Sequence, residues 1–190
     1  MNASQTPTGL RALSLCVLLL ATALMRCTDA SPPNQAATML PPGLLTVGSA
    51  EGPTVMTVKQ NATTGERVTM VGRIGGSVRP FVQQRAVFTL VDPALPSCAD
   101  GGDPDHCATP WDYCCEERAR LRAATATIEV VDAAGEPLPI GLLGVQGLDP
   151  LVTVSVTGLV TERNDQGLLV IQAERIELRA AATNAASPRD

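Results

Sequence analysis

The middle of the chain alternates apolar and polar residues in five blocks, and period two is the mark of a strand with one buried face. The first block, 66–74 (ERVTMVGRI), puts Val68, Met70 and Ile74 on one side and Arg67, Thr69, Val71 and Arg73 on the other. Gly72 falls in the inward row, where a missing side chain marks a bulge or bend. The second block, 86–92 (AVFTLVD), turns Phe88 and Leu90 inward and is stopped by Pro93 and Pro96. The third, 124–132, alternates Ala126, Ile128 and Val130 with Thr127 and Glu129. The fourth, 151–161, carries Val152, Val154 and Val156 in one row, with Gly158 as a second bend, and the fifth covers 168–178. Turn chemistry falls between them: Thr63-Thr64-Gly65, Gly75-Gly76, Ala133-Ala134-Gly135 and Asn164-Asp165-Gln166-Gly167, the last a hairpin turn with glycine for positive φ.

Three other segments read differently. Residues 54–61 form a short helix or strand. Residues 116–122 (EERARLR) hold one or two helical turns, with Glu116 and Arg120 in the favourable order for an i,i+4 ion pair. Residues 137–148 hold Leu142, Leu143, Val145 and Leu148 at near-helical spacing, made irregular by Gly141, Gly144 and Gly147. Three strands, a short helix and two strands is the order of the oligonucleotide/oligosaccharide-binding (OB) barrel. The expected fold is therefore mainly β: a small five-stranded OB-fold-like barrel with a short helix between strands 3 and 4 and a Cys-rich insertion between strands 2 and 3.

Outside the barrel, Arg11 precedes the apolar run 12–25 (ALSLCVLLLATALM), which is short for a bilayer span and reads as a secretory signal. The stretch Leu24-Met25-Arg26-Cys27 resembles a bacterial lipobox at Leu24 and Cys27 and departs from it at Arg26. Cys27 is thus the lipidation candidate, with ordinary signal cleavage as the other reading, and a membrane enters only through such a lipid. Residues 28–53, with Pro32-Pro33 and Pro41-Pro42, read as a Pro/Ala-rich linker. The expected organisation is signal peptide 1–27, linker 28–53, barrel 54–179 and a polar tail 180–190. The expected location is the periplasm or cell envelope.

Composition sharpens this. Hydrophobic residues make up 45% of the 190 but aromatics only 2%, so the core must be aliphatic. The net charge of −5 repels phosphate backbones. Arg67, Arg73, Arg79 and Arg85 on or beside the first two strands form the one basic patch that a single nucleic-acid strand could use, with Arg73 and Arg85 as contact candidates. OB folds that bind single strands add aromatic platforms, and Phe81, Phe88, Trp111 and Tyr113 are all the aromatics present. Nucleic acid is not the expected partner.

The candidate chemistry sits in 97–115 (SCADGGDPDHCATPWDYCC), which holds four of the six cysteines and the only His, Trp and Tyr. In an exported chain, Cys98, Cys107, Cys114 and Cys115 read first as a disulfide staple, with bridges from Cys98 and Cys107 to the adjacent pair. The second reading is a metal or redox site: His106 with the four cysteines offers imidazole and thiolates, which suit zinc or copper. Asp100, Asp103 and Asp105 offer hard oxygen ligands for calcium, without the spacing of an EF-hand loop. Trp111 and Tyr113 are ligand platforms or anchors that pin the insertion to the barrel, with Asp112 between them facing water. His106 is the only histidine, and no GxSxG or paired-carboxylate arrangement stands out, so an enzyme is not the expected reading.

The phrases VTMVGRIGG, AVFTLVD and VTVSVTGLV, and above all Thr109-Pro110-Trp111-Asp112-Tyr113-Cys114-Cys115, give the chain a resemblance to a group of uncharacterised exported bacterial proteins with an OB-like domain and a TPWDYCC segment. The resemblance covers about 68–178 and implies fold and compartment only. The expected function is that of an exported, lipid-anchored or free OB-fold module that binds a protein or other envelope component without catalysis.

Overall fold

A computed structural model describes residues 39–101 and 107–180. The leader, Cys27, His106, Asp103, Asp105 and the tail 181–190 lie outside the described residues. Among the described residues no helix is long and apolar enough to cross a membrane.

In chain order the elements are β1 (Leu45–Gly48), α1 (Val55–Asn61), β2 (Arg67–Ile74), β3 (Val87–Val91), a 3-10 turn (Cys98–Gly101), α2 (Arg118–Ala123), β4 (Thr125–Glu129), a second 3-10 turn (Val145–Gly147), β5 (Thr153–Arg163) and β6 (Leu169–Arg179). The five expected strands are β2 to β6. They close in the order β2-β3-β4-β6-β5 and back to β2, with β4–β6 parallel and the other pairs antiparallel. This is a mixed barrel of OB-like order, and closure leaves none of its five strands with a wholly free edge.

The inward rows are those the alternation marks: Val68, Met70 and Ile74; Phe88 and Leu90; Ala126, Ile128 and Val130; Val154, Val156 and Val160; Leu169, Ile171, Ile176 and Leu178. The step from Ile171 through Ala173 to Ile176 breaks period two. Thr157 pairs with Arg175 and Gly158 with Ala173, so Glu174 is the extra residue of a β-bulge. It swings outward, where its carboxylate pairs with Arg67.

One expectation changes, and the expected short helix between strands 3 and 4 takes its tightest form. Residues 28–53 were to be linker, yet Leu45–Gly48 within them forms β1 and runs parallel to Ile176–Arg179 of β6, continuing the edge that β4 leaves. The segment 137–148 condenses to the single 3-10 turn, because Gly144, Gln146 and Gly147 all take positive φ and break any helical run. Leu138, Leu142 and Leu148 still reach the core, so the apolar spacing there records burial rather than helix.

Helix α1 packs on the barrel through Val55 and Val58. Its first turn is held from another element: the fully buried Asp92 accepts the Met56 N–H at 2.7 Å and the Ala94 N–H at 2.9 Å. A buried donor left without its acceptor is costly. Asp92→Ala is therefore expected to lower stability by about 2 kcal/mol, read as a lower urea midpoint at unchanged slope. An unchanged midpoint would show that the α1 cap is immaterial.

Candidate metal centre

The insertion between β3 and β4 is fastened at several points before any cysteine is considered. Outside the barrel's main core lies a second cluster of Val91, Leu95, Tyr113 and Ala124, with Met56 and Leu121 against it. The Tyr113 ring, 1% exposed, is its largest member. Its backbone lies in the left-handed region at φ 58°, an unfavourable place for an aromatic residue that the buried ring and the turn around it sustain. Burial raises the Tyr113 pKa and keeps the phenol neutral. The Trp111 carbonyl accepts the Gly76 N–H at 2.8 Å, and the Trp111 indole donates to the Val78 carbonyl at 3.2 Å. Gly75 makes this seam: a Cβ there would lie 2.6 Å from the Trp111 carbonyl oxygen and 2.9 Å from Tyr113 Cε2.

The 3-10 turn carrying Cys98 is tied to β2. Asp100 Oδ2 accepts from Arg73 Nη1 at 2.6 Å and from the Ser97 N–H and hydroxyl, each at 2.8 Å. Arg73 first, and then Ser97, hold the Asp100 carboxyl below its ordinary range against some opposing burial. Asp100 is thus engaged by an arginine instead of being free for calcium. Downstream, Asp112 does not simply face water. Its Oδ1 accepts the Cys114 N–H and its Oδ2 the Thr109 hydroxyl, both at 2.8 Å, closing the turn that presents Cys114. The backbone bond from Cys98 N–H to the Pro110 carbonyl brings the two arms together at 3.1 Å.

The result is a knot of four free thiols. Cys98 Sγ lies 3.6 Å from both Cys114 Sγ and Cys115 Sγ, Cys107 Sγ lies 3.6 Å from Cys114 Sγ, and Cys114 and Cys115 are 4.0 Å apart. The two bridges expected from export are not formed. A disulfide needs about 2.0 Å, whereas four sulfurs around one zinc at about 2.3 Å stand about 3.8 Å apart along the edges of a tetrahedron. Cys98, Cys107, Cys114 and Asp112 also bring one donor atom each within 4.8 Å of one another. A cluster of three cysteines and an aspartate that could bind a metal is therefore present, with Cys115 as a further sulfur at its edge. The Cys115 N–H donates to Cys98 Sγ. Burial alone would raise the Cys98 pKa; that N–H and the thiols of Cys114, Cys115 and Cys107 outweigh it and lower the pKa. Cys114 and Cys115, donating to Cys98 first of all, are pushed upward. Cys98 is the sulfur best prepared to be a thiolate.

The remaining candidates separate. Tyr113 is an anchor and is too buried to be a ligand platform. Trp111 is half-buried and lines a groove of about 490 Å3 with Phe81, Val78, Val82, Arg79 and Leu143. Val78, Val82 and Leu143 are among the few large apolar side chains left exposed among the described residues. Arg85 is exposed, while Arg67 pairs with Glu174 and Arg73 with Asp100, so two of the four arginines of the expected basic patch are neutralised locally. Asp112 is the functional residue that the sequence reading missed. Its signal is the short spacing of an acid two residues before a cysteine, which lets a carboxylate accept that residue's N–H in a turn. No protein-family model, curated protein or solved structure matches the chain.

Proposed function

We propose that the chain is an exported, non-catalytic OB-like binding module whose insertion is organised by a metal held on Cys98, Cys107, Cys114 and Cys115, with zinc as the metal and Asp112 as a positioning residue. The observation that carries this reading is the gathering of Cys98, Cys107, Cys114 and Asp112 within 4.8 Å of one another, with Cys115 Sγ 3.6 Å from Cys98 Sγ at its edge, separations near a tetrahedral edge and far from a bond. Soft thiolates select zinc or copper over calcium. Cys115 makes the better fourth ligand because both oxygens of Asp112 are already engaged in the turn. The metal's part is to hold the loop that carries Trp111 against the barrel and so to shape the groove beside it. The module's partner, a protein or other envelope component, remains the reading that the export signal and the apolar groove favour.

The test is metal analysis of the reduced chain. One zinc per chain is expected, with Cys107→Ser and Cys115→Ser each lowering affinity at least tenfold and Asp112→Asn retaining stoichiometric binding. Reduced protein that takes up no zinc or copper overturns the proposal. Loss of metal in Asp112→Asn with retention in Cys115→Ser would move the fourth ligand from sulfur to oxygen.

A further inference from the structure

The contacts among the thiols also decide what happens when the site is oxidised. A state with two bridges uses every cysteine once. Three non-adjacent pairs stand at 3.6 Å: Cys98 with Cys114, Cys98 with Cys115, and Cys107 with Cys114. Only Cys98–Cys115 together with Cys107–Cys114 draws both bridges from these contacts. The adjacent pair Cys114–Cys115 is disfavoured by the strain its ring puts on the intervening peptide. Each bridge needs its sulfurs to close by about 1.6 Å, to the ordinary bonded distance of about 2.0 Å. Cys114 and Cys115 are exposed, so each future bridge has one sulfur that a small oxidant reaches directly.

We infer that the centre is a redox-releasable metal site: hydrogen peroxide converts the four metal-bound thiolates to the bridges Cys98–Cys115 and Cys107–Cys114 and expels the zinc. This rests on the metal reading above. The steps balance. The Cys114 thiolate attacks a peroxide oxygen, the O–O bond breaks, and sulfenic acid and hydroxide form. The Cys107 thiolate then attacks that sulfur and displaces a second hydroxide, which leaves the disulfide. Cys115 and Cys98 repeat the sequence with a second peroxide. The four electrons leave the sulfurs and enter the two O–O bonds, the four hydroxides formed are neutralised by protons from the buffer, and the zinc departs unchanged in charge. A thiol reductant reverses the change and restores the ligands. Such a centre would report exposure to peroxide by freeing the Trp111 loop from its metal.

The experiment loads the full reduced chain with zinc, titrates hydrogen peroxide, follows released zinc with a chromogenic chelator, and maps bridges by mass spectrometry of unreduced peptides. About one zinc should be released per two peroxides consumed. The peptides should show Cys98–Cys115 and Cys107–Cys114, and dithiothreitol should restore full zinc uptake. Cys107→Ser should leave Cys98–Cys115 as the one bridge. Zinc retained through peroxide, release with sulfinic acids in place of bridges, or the pairing Cys98–Cys114 with Cys107–Cys115 overturns the inference while leaving the metal reading standing. A reduced chain that takes up no zinc overturns the metal reading, and the release step with it.

Discussion

Stripping zinc from the loaded, reduced protein with a chelator is expected to shift the emission of Trp111 to longer wavelength while the far-ultraviolet circular dichroism of the barrel stays almost unchanged. Trp111 is the only tryptophan, so its emission reports the insertion and nothing else. The two readouts separate because, among the described residues, the insertion contributes no side chain to the main core inside the barrel. Its own apolar support is the small cluster around Tyr113, Leu95 and Val91, to which the proposed metal adds its ligand bonds. Ligands that bind only the ordered form stabilise it by mass action, by about 4 kcal/mol at a thousandfold excess over Kd. In structural zinc sites the free energy of metal binding is also the free energy that orders the chain around it. Removing it should therefore free the Trp111 carbonyl from Gly76 and the indole from Val78. Emission and its quenching by acrylamide that do not change on chelation would show that the Tyr113 cluster and the Arg73–Asp100 pair suffice to order the loop without metal.

The parts of the fold that the sequence discloses are those set by one face of a strand. Val68, Met70 and Ile74, or Val154 and Val156, must face the core whatever their partners, so alternation finds them. What it does not disclose depends on pairing. The bulge at Glu174 shifts the inward row of β6 by one residue, and its cause is the way β5 and β6 meet, not a local preference of 173–176. Strand β1 is four residues long with two of them exposed, and only its parallel neighbour in β6 makes it a strand. In the same way the crowding of cysteines in 97–115 is plain in the sequence, while their distances are not. The choice between bridge and metal turns on a difference of less than 2 Å between sulfurs. That spacing is set by the backbone bond joining Cys98 to Pro110, by the Asp112 turn and by the Tyr113 ring. The cysteine count alone fits either two bridges or a metal; the sulfur separations, longer than a bond, favour the metal in the reduced chain.

Gly158→Ala is expected to be the most damaging single methyl that can be added to the barrel. Gly158 lies in β5 where the bulge with β6 begins, opposite Ala173. A Cβ built there would come within 2.1 Å of the Gln172 carbonyl oxygen, 2.8 Å of its carbon and 2.9 Å of Ile171 Cγ2. Two of these atoms are backbone, so no side-chain rotation relieves the clash; β6 itself must move. That strand is paired with β1, β4 and β5 at once, and a displacement is transmitted to all three. Overpacking in a well-filled core costs about 1–3 kcal/mol, and more where the backbone cannot yield. Here a loss of about 4 kcal/mol is expected, a large share of the 5–15 kcal/mol typical of a domain. Gly141→Ala is the control, because its nearest neighbour would be the Gln84 nitrogen at 3.7 Å, an ordinary contact. Urea unfolding of the two variants checks the argument. A Gly158→Ala midpoint within error of the Gly141→Ala midpoint would mean that β5 and β6 separate easily at the bulge, and that the barrel is not closed by this pair.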